Sequence, residues 1–134
     1  NGMKVKDFNK WFNKMFEKEL LNIGNNLSKK VVKMSSEQRK QLHIAAVFAC
    51  NFSNHMFAIA DKILTQSNID FKLLLPIINQ TVKKLNKNKA SEVQTGPAKR
   101  KDKKIIESHI KKLSDKKTKE IYKLISDSIM KNNV

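Results

Sequence analysis

Three polar side chains on one predicted helix are the candidates for chemistry. His43, Asn51 and Asn54 fall on one arc when the residues from Ser35 to Ser67 are placed about 100° apart around a helix axis. An imidazole and two amides that face a cleft can hydrogen-bond a substrate or a neighbouring loop. Asn is a poor helix former, which favours such a cleft, but a solvated stripe on an amphipathic helix explains the arc equally well. His43 and Asn51 are the candidate catalytic residues.

Other catalytic and cofactor motifs are absent from the sequence. The three glycines are too dispersed for a dinucleotide fingerprint or a phosphate-binding loop, and the three histidines lack the spacing or cysteine partners of a zinc site. Cys50 lies in an apolar stretch and is predicted to be a packed, unreactive thiol. His109 lies among isoleucines and is predicted to be a core histidine. We therefore expect no metal site, no cofactor bound by this chain alone and no catalysis by this chain alone.

The segment from Ser35 to Ser67 is predicted to be one long helix at the centre of the fold. It contains neither Pro nor Gly, and Ser35 with Gln38 matches the capping box of a helix start. Most of its circumference is apolar, which is typical of a buried helix. Small residues near four-residue spacing would let another helix come close, either within the chain or across a dimer: Ala45, Ala49, Ser53 and Ala60.

Shorter amphipathic helices are predicted on both sides of the long one. The first ends at about Ile23, residues 27–34 favour an extended form, and Pro76 is expected to kink the third helix. The sequence thus predicts an all-α domain of four to five main helices around a long central helix. Residues 1–34 would be an N-terminal helix and connecting segment, and residues 35–134 the dimerising helical domain, with a single compact unit over 7–131. Acidic residues are predicted to cap the shorter helices: Asp7, Asp70, Asp102 and Asp115.

The loop from Ala90 to Lys101 is the least helical part of the sequence. Gly96 can take backbone conformations closed to other residues, and Pro97 suits the first position of a helical turn. Loops fixed in this way against a rigid scaffold often carry function. A simple hinge between two helices explains the same residues equally well.

The formal net charge of +16 is typical of domains that bind nucleic acid. Arg39 and Arg100 are the only arginines, although bidentate phosphate and base contacts favour arginine, and the lysines are scattered over every segment. Since an AT-rich genome would explain the joint excess of Lys, Asn and Ile, we expect no nucleic-acid partner. A stand-alone basic helical module that binds nucleic acid or an acidic protein is the alternative hypothesis.

The sequence also predicts the compartment. No stretch stays apolar over the roughly 18 residues that a membrane helix needs, and the N-terminus does not resemble a secretion signal. A single cysteine can form no internal disulfide. We therefore expect a cytoplasmic protein without a membrane partner.

Two blocks together resemble a known family. They are residues 37–60, EQRKQLHIAAVFACNFSNHMFAIA, and residues 94–113, QTGPAKRKDKKIIESHIKKL. They are similar to the helical C-terminal domain, formally of unknown function, that follows a Rossmann-like NADP-binding domain in bacterial oxidoreductase-like proteins. Those proteins are themselves similar to pyrroline carboxylate reductases and to the NADP oxidoreductases that use a deazaflavin coenzyme. The resemblance covers roughly Ser35 to Lys131.

The resemblance implies that this domain dimerises and closes over the nicotinamide end of an NADP molecule, which a Rossmann-like domain upstream in the full-length protein would hold. The chain would be the dimerisation and substrate-side half of an NADP-dependent oxidoreductase that acts on an unknown small molecule. Lys101 stands where the family commonly has Gly, which bears on the conformation of that turn. The residues that the resemblance assigns to the cleft are His43, Asn51, Asn54, Thr95, Gly96, Pro97, Arg100 and Asp102.

Overall fold

The computed structural model describes residues 4–131, and these form five helices and no strand. The prediction of an all-α fold with one long helix is confirmed. The chain divides into two compact units, Asn1–Val47 and Phe48–Val134. The division falls inside the long helix and not at the predicted boundary between residues 34 and 35, and it separates residues that the sequence predicted to form one compact unit. The helices are α1 (Val5–Leu27), α2 (Ser36–Thr65), α3 (Leu75–Lys84), α4 (Lys103–Lys112) and α5 (Lys116–Lys131).

Helix α1 is longer at both ends than the sequence predicts. It begins after Lys4, so Asp7 is not its cap but lies in the first turn, where a carboxylate favours the positive end of the helix dipole. It also passes through Gly24, the predicted stop, and ends at Leu27. The absence of a side chain at Gly24 lets Val31 pack against the helix. A β-carbon at this position would be 3.2 Å from both γ-carbons of Val31.

One side of α1 is apolar and uncovered. Its aromatic rings stack on one another along the helix, with ring centroids 6.1 Å apart for Phe8 and Phe12 and 6.0 Å apart for Phe12 and Phe16. Trp11 is 52% exposed and Ile23 is 54% exposed. In this unit the aromatic stripe is therefore not part of a core.

Helix α2 begins where the sequence predicts. The Ser35 hydroxyl accepts from the Gln38 N–H at 3.1 Å, and the Gln38 side chain accepts from the Ser35 N–H at 2.8 Å, which completes the capping box. Residues Val47–Phe52 form a π-helical stretch between two α-helical parts. Such π segments often occur at functional sites, and Asn51 lies in this one.

The prediction that α2 is a buried helix is wrong. Ile44, Phe48 and Phe52 are 52%, 65% and 50% exposed. The predicted interruptions by His and Asn do not keep α2 from passing a test for membrane helices by length and composition, because these residues add no charge. Its best window reaches a mean hydropathy of 1.3, so α2 could cross a membrane by length and composition alone, a test that core helices of soluble proteins also pass.

In the second unit, short-range caps define the remaining helices. Asp70 caps a 3₁₀ turn, Phe71–Leu74, and not α3 itself. Pro76 lies in the first turn of α3, where its missing N–H is not needed, so it does not produce the predicted kink. Asp102 accepts from the Ile105 N–H at 3.2 Å and Asp115 from the Thr118 N–H at 2.7 Å, so the predicted caps of α4 and α5 are confirmed.

The loop before α4 contributes to a small core. Gly96 has φ of 101°, the left-handed region predicted for it, and Lys101 has φ of 56°. Asp102 N–H donates to the Pro97 carbonyl at 2.9 Å, which closes the turn. Within residues 4–131, the buried side chains are those of Ala98, Ile106 and Ser126, one each from this loop, α4 and α5.

Candidate functional site

The second unit contains an apolar groove of about 490 Å³. It lies among the C-terminal half of α2, the loop before α4, and helices α4 and α5. Ligand sites are typically concave, mostly apolar and supplied with a few polar groups, and this groove has that character. Its apolar walls include Met56, Ile59, Ile63, Ala98, Ile121 and Ile125, and its polar groups include Thr95, His109, Lys112, Thr118 and Tyr122.

A histidine–tyrosine pair stands at this groove. The His109 Nδ1 atom and the Tyr122 hydroxyl oxygen are 2.8 Å apart, and the two rings meet edge to face with centroids 5.9 Å apart. Burial raises the pKa of Tyr122 above 10.0, so its hydroxyl is protonated at neutral pH. The pair can therefore present an imidazole nitrogen and a phenol to a ligand in the groove.

The prediction of His109 as a core histidine is wrong, because its side chain is exposed at the groove. Tyr122 was not among the residues that the sequence predicted for a site. No local signal joins the two, since they are 13 residues apart and meet only when α4 and α5 pack together.

The structure divides the predicted cleft residues. Thr95 and Pro97 line the groove, and Gly96 lies between them. Arg100 is exposed, and the Asp102 carboxylate is used as the cap of α4. Asn51 and Asn54 are exposed and do not line the groove, because α2 faces it with Met56, Ile59 and Ile63.

His43 lies in the first unit. It is exposed and lines a shallow depression with Ser36, Arg39, Lys40 and Ile44. The second unit alone does not form the cleft that was predicted between the histidine–asparagine arc and the loop. That cleft stays a prediction.

The predicted seam residues are accessible to different degrees. Ala45 and Ala49 are exposed, whereas Ser53 and Ala60 are half-buried. Cys50, predicted to be packed, is exposed as well. The described residues contain no group of three or more His, Cys, Asp or Glu side chains that could hold a metal ion.

Comparisons with known proteins agree with this architecture. The family model described as "Domain of unknown function (DUF2520)" matches residues 13–129. A crystal structure from Bacteroides fragilis, described as that of a putative NADP oxidoreductase, matches with a TM-score of 0.80 and 42% sequence identity. The match covers 83% of this chain and 43% of that chain, so this chain spans less than half the length of the solved protein. No curated protein matches. These findings confirm the resemblance to a helical domain of oxidoreductase-like proteins.

Proposed function

The chain belongs to the DUF2520 family of domains of unknown function, and on this premise we propose that it is the dimerisation and substrate-side domain of a cytoplasmic NADP-dependent oxidoreductase. In the full-length protein a Rossmann-like domain upstream would hold NADP. The substrate would be a small molecule. The solved relative, described as a putative NADP oxidoreductase and more than twice as long as the matched region, supports this assignment.

The observation that carries the proposal is the uncovered apolar surface of α2. Phe48 and Phe52 pack edge to face, with centroids 5.0 Å apart, yet both remain at least half exposed. Fully burying one such side chain contributes about 1.5–3 kcal/mol, while association costs roughly 4–15 kcal/mol in lost freedom. Burying several of these side chains together can therefore offset the cost of association, and a second copy of the same helix can cover them.

Small residues give that second copy a place to approach. Ala45 and Ala49 are exposed and one helical turn apart, with Ser53 another four residues along. A neighbouring helix can lie closer to such a row than to a row of large side chains. This is the proposed dimer seam, together with Ala60.

Two exposed polar regions support a substrate-side role. His43, Asn51 and Asn54 are each exposed and accessible to a ligand, and Asn51 lies in the π-helical stretch. The groove adds His109 and Tyr122 at hydrogen-bond distance. His43 and Asn51 stay the proposed catalytic candidates, with Thr95, Gly96, Pro97, Arg100 and Asp102 as the loop side of the cleft.

The residues of this chain do not fit NADP by themselves. A dinucleotide site needs a glycine-rich turn that opens a helix, and the sequence offers three dispersed glycines. The groove is mainly apolar, and Lys112 is the one positively charged residue among those that line it. The cofactor would therefore depend on the upstream domain, and no chemical step through it is assigned to this chain.

The dimer is tested by placing a charge on the seam. The chain is expected to sediment as a dimer at tens of micromolar. Ala49→Glu would bury an unpaired carboxylate and should raise the dimer dissociation constant by about 100-fold or more. Ala58→Glu is the matched control, because Ala58 lies on a different side of α2, and this variant should stay dimeric. A monomeric unsubstituted chain would rule out the seam.

Calorimetry tests the cofactor assignment separately. We expect no tight NADP binding by this chain and micromolar or tighter binding by the full-length protein. Micromolar binding by the chain alone would mean that the nucleotide site lies within it.

A further inference from the structure

We propose that α1 and residues 29–34 are the last helix and strand of a β-sheet domain, with residues 30–34 pairing as a β-strand along a strand supplied by the upstream part of the full-length protein. This rests on the proposed function for the identity of that domain. It assigns residues 4–34 to the sheet domain and not to the helical domain. Three observations on the first unit and one on the solved relative support it.

The first observation is the alternation of side chains after α1. Val31 lies against Gly24, and the Lys33 ammonium forms an ion pair with Glu17, so residues 31 and 33 both face α1. The backbone is extended at Ser28 and at Ser35, the two ends of the segment. Side chains of a strand alternate between its two faces, which places Val32 on the opposite side from α1, where it is 55% exposed.

The second observation is an open backbone edge. Within residues 4–131, no backbone–backbone hydrogen bond involves residues 29–34. The Met34 carbonyl accepts from the Arg39 guanidinium at 2.9 Å. The Lys30 N–H donates to the Ser28 hydroxyl, which in turn donates to the Lys30 carbonyl. Within the described residues, the N–H groups of Val31, Val32 and Lys33 donate no hydrogen bond. Such a row of unpaired groups is what an edge strand presents to a partner, and two adjacent valines favour a strand.

The third observation separates a sheet from a helical partner. The exposed aromatic stripe of α1 lies on a different side of the helix from the Glu17–Gly24 side that the segment contacts. Another helix could cover the stripe but would leave the backbone of residues 30–34 unpaired. A β-sheet can meet both needs, because its edge pairs with the segment while its face packs against a helix.

The fourth observation is the length of chain available to supply the sheet. More than half of the solved relative lies outside the matched region. A sheet in the same polypeptide is present at high effective concentration. It therefore has an advantage over a second copy of this chain, which would also have to be present at sufficient concentration.

Hydrogen exchange tests the proposal on two proteins, the chain alone and the full-length protein. In the chain alone, the amides of residues 31–33 should exchange at nearly the unprotected rate. In the full-length protein, alternate amides of this segment should exchange at least about 100-fold more slowly. Trp11 is the single tryptophan, and its emission should shift to shorter wavelength in the full-length protein. Fast exchange of all three amides in both proteins would overturn the proposal.

Matched proline variants identify the pairing edge. In a strand, the N–H groups of successive residues point to opposite edges, so on an edge strand only one of Val31→Pro and Val32→Pro removes a sheet hydrogen bond. That one should lower the stability of the full-length protein well beyond its matched control, Val31→Ala or Val32→Ala, which keeps the N–H. Equal effects of proline and alanine at both positions would contradict strand pairing.

A second copy of the chain is the competing partner. If exchange at residues 31–33 is slow in the chain alone and slows further with protein concentration, the strand pairs between copies and the proposal is wrong. Failure of the proposed function gives a different pattern, because the Ala49→Glu and NADP measurements do not depend on residues 29–34. Slow amide exchange at residues 31–33 of the full-length protein would support the strand even if Ala49→Glu left the chain dimeric, a result that would count only against the seam.

Discussion

Asp115 makes the start of α5 sensitive to pH. Hydrogen bonds from the Thr118 hydroxyl, at 2.8 Å, and from the Thr118 N–H, at 2.7 Å, lower the pKa of the Asp115 carboxyl below 3.8. A lowered folded-state pKa contributes stability that is present above the unfolded-state pKa and is lost as the pH falls through the folded-state value. Acidification from about pH 4 downward should therefore weaken the α4–α5 pair.

The measurement is thermal unfolding by circular dichroism across this acid range. Asp115→Asn should be less stable than the unsubstituted chain at neutral pH, and the difference should shrink as the pH falls. Asp127→Asn removes a carboxylate from the same helix without removing a cap. The difference in stability between this variant and the unsubstituted chain should not shrink in the same way as the pH falls. A pH-independent effect of Asp115→Asn would contradict the role given to the charge.

Lys101 occupies a backbone conformation that glycine adopts more readily. Its φ of 56° lies in the left-handed region, which costs residues with a side chain roughly 1–2 kcal/mol, while glycine adds about 0.5–1 kcal/mol of chain entropy. Lys101→Gly should thus stabilise the protein by up to about 1.5 kcal/mol in urea unfolding. Lys104→Gly, inside α4, should destabilise it by about 1 kcal/mol. Destabilisation by both substitutions would show that Lys101 is not strained.

Sequence patterns predict single residues well when the signal is local. The left-handed Gly96 and the caps Asp102 and Asp115 each depend on neighbours within three residues. The pairing of His109 with Tyr122 could not be predicted, because it arises only when two helices pack. Periodicity also placed His109 in a core that this small unit does not have.

At the scale of elements, the contact between α1 and the following segment depends on Gly24, which has no side chain. Ala at position 24 would improve helix propensity by about 1 kcal/mol, but its β-carbon would crowd both γ-carbons of Val31 at 3.2 Å. Gly24→Ala should therefore stabilise the Val31→Ala background more than the unsubstituted chain. We expect a coupling energy of roughly 0.5–1 kcal/mol in the double-mutant cycle.

Trp11 fluorescence during urea unfolding reports this cycle, because the tryptophan lies in α1. The cycle of Gly24→Ala with Val32→Ala is the control, since Val32 is placed on the other side of the segment, and its effects should add. Additive effects in the Val31 cycle would show that the segment does not rest on Gly24.

Helix starts were easier to predict than the environment of the helices. The Ser35–Gln38 box marks the start of α2 in the sequence itself, whereas the burial of α2 depends on what packs against it. The apolar pattern indicates that α2 prefers to be covered and does not say by what. The π-helical stretch Val47–Phe52 also has no marker in the sequence.

At the scale of the whole molecule, the fold class was predictable and the division into units was not. Helical periodicity in most segments predicts the all-α class, and the described residues confirm it with helices and no strand. The segment of residues 28–35 contacts α1, where Val31 lies against Gly24, and the start of α2, where Arg39 donates to the Met34 carbonyl. Because these contacts have no marker in the sequence, the division inside α2 could not be predicted. The formal net charge of +16 is also a property of the whole molecule, because residues of both units contribute to it.

The exposed side of α2 has a consequence for the life of the protein in a cell. A copy outside the proposed dimer would present a row of phenylalanines and isoleucines to solvent, which is the kind of surface that holdase chaperones bind and that leads to aggregation. Assembly would then act as quality control. Unpaired copies would be cleared by proteases, and the amount of assembled protein would follow the rate at which chains meet.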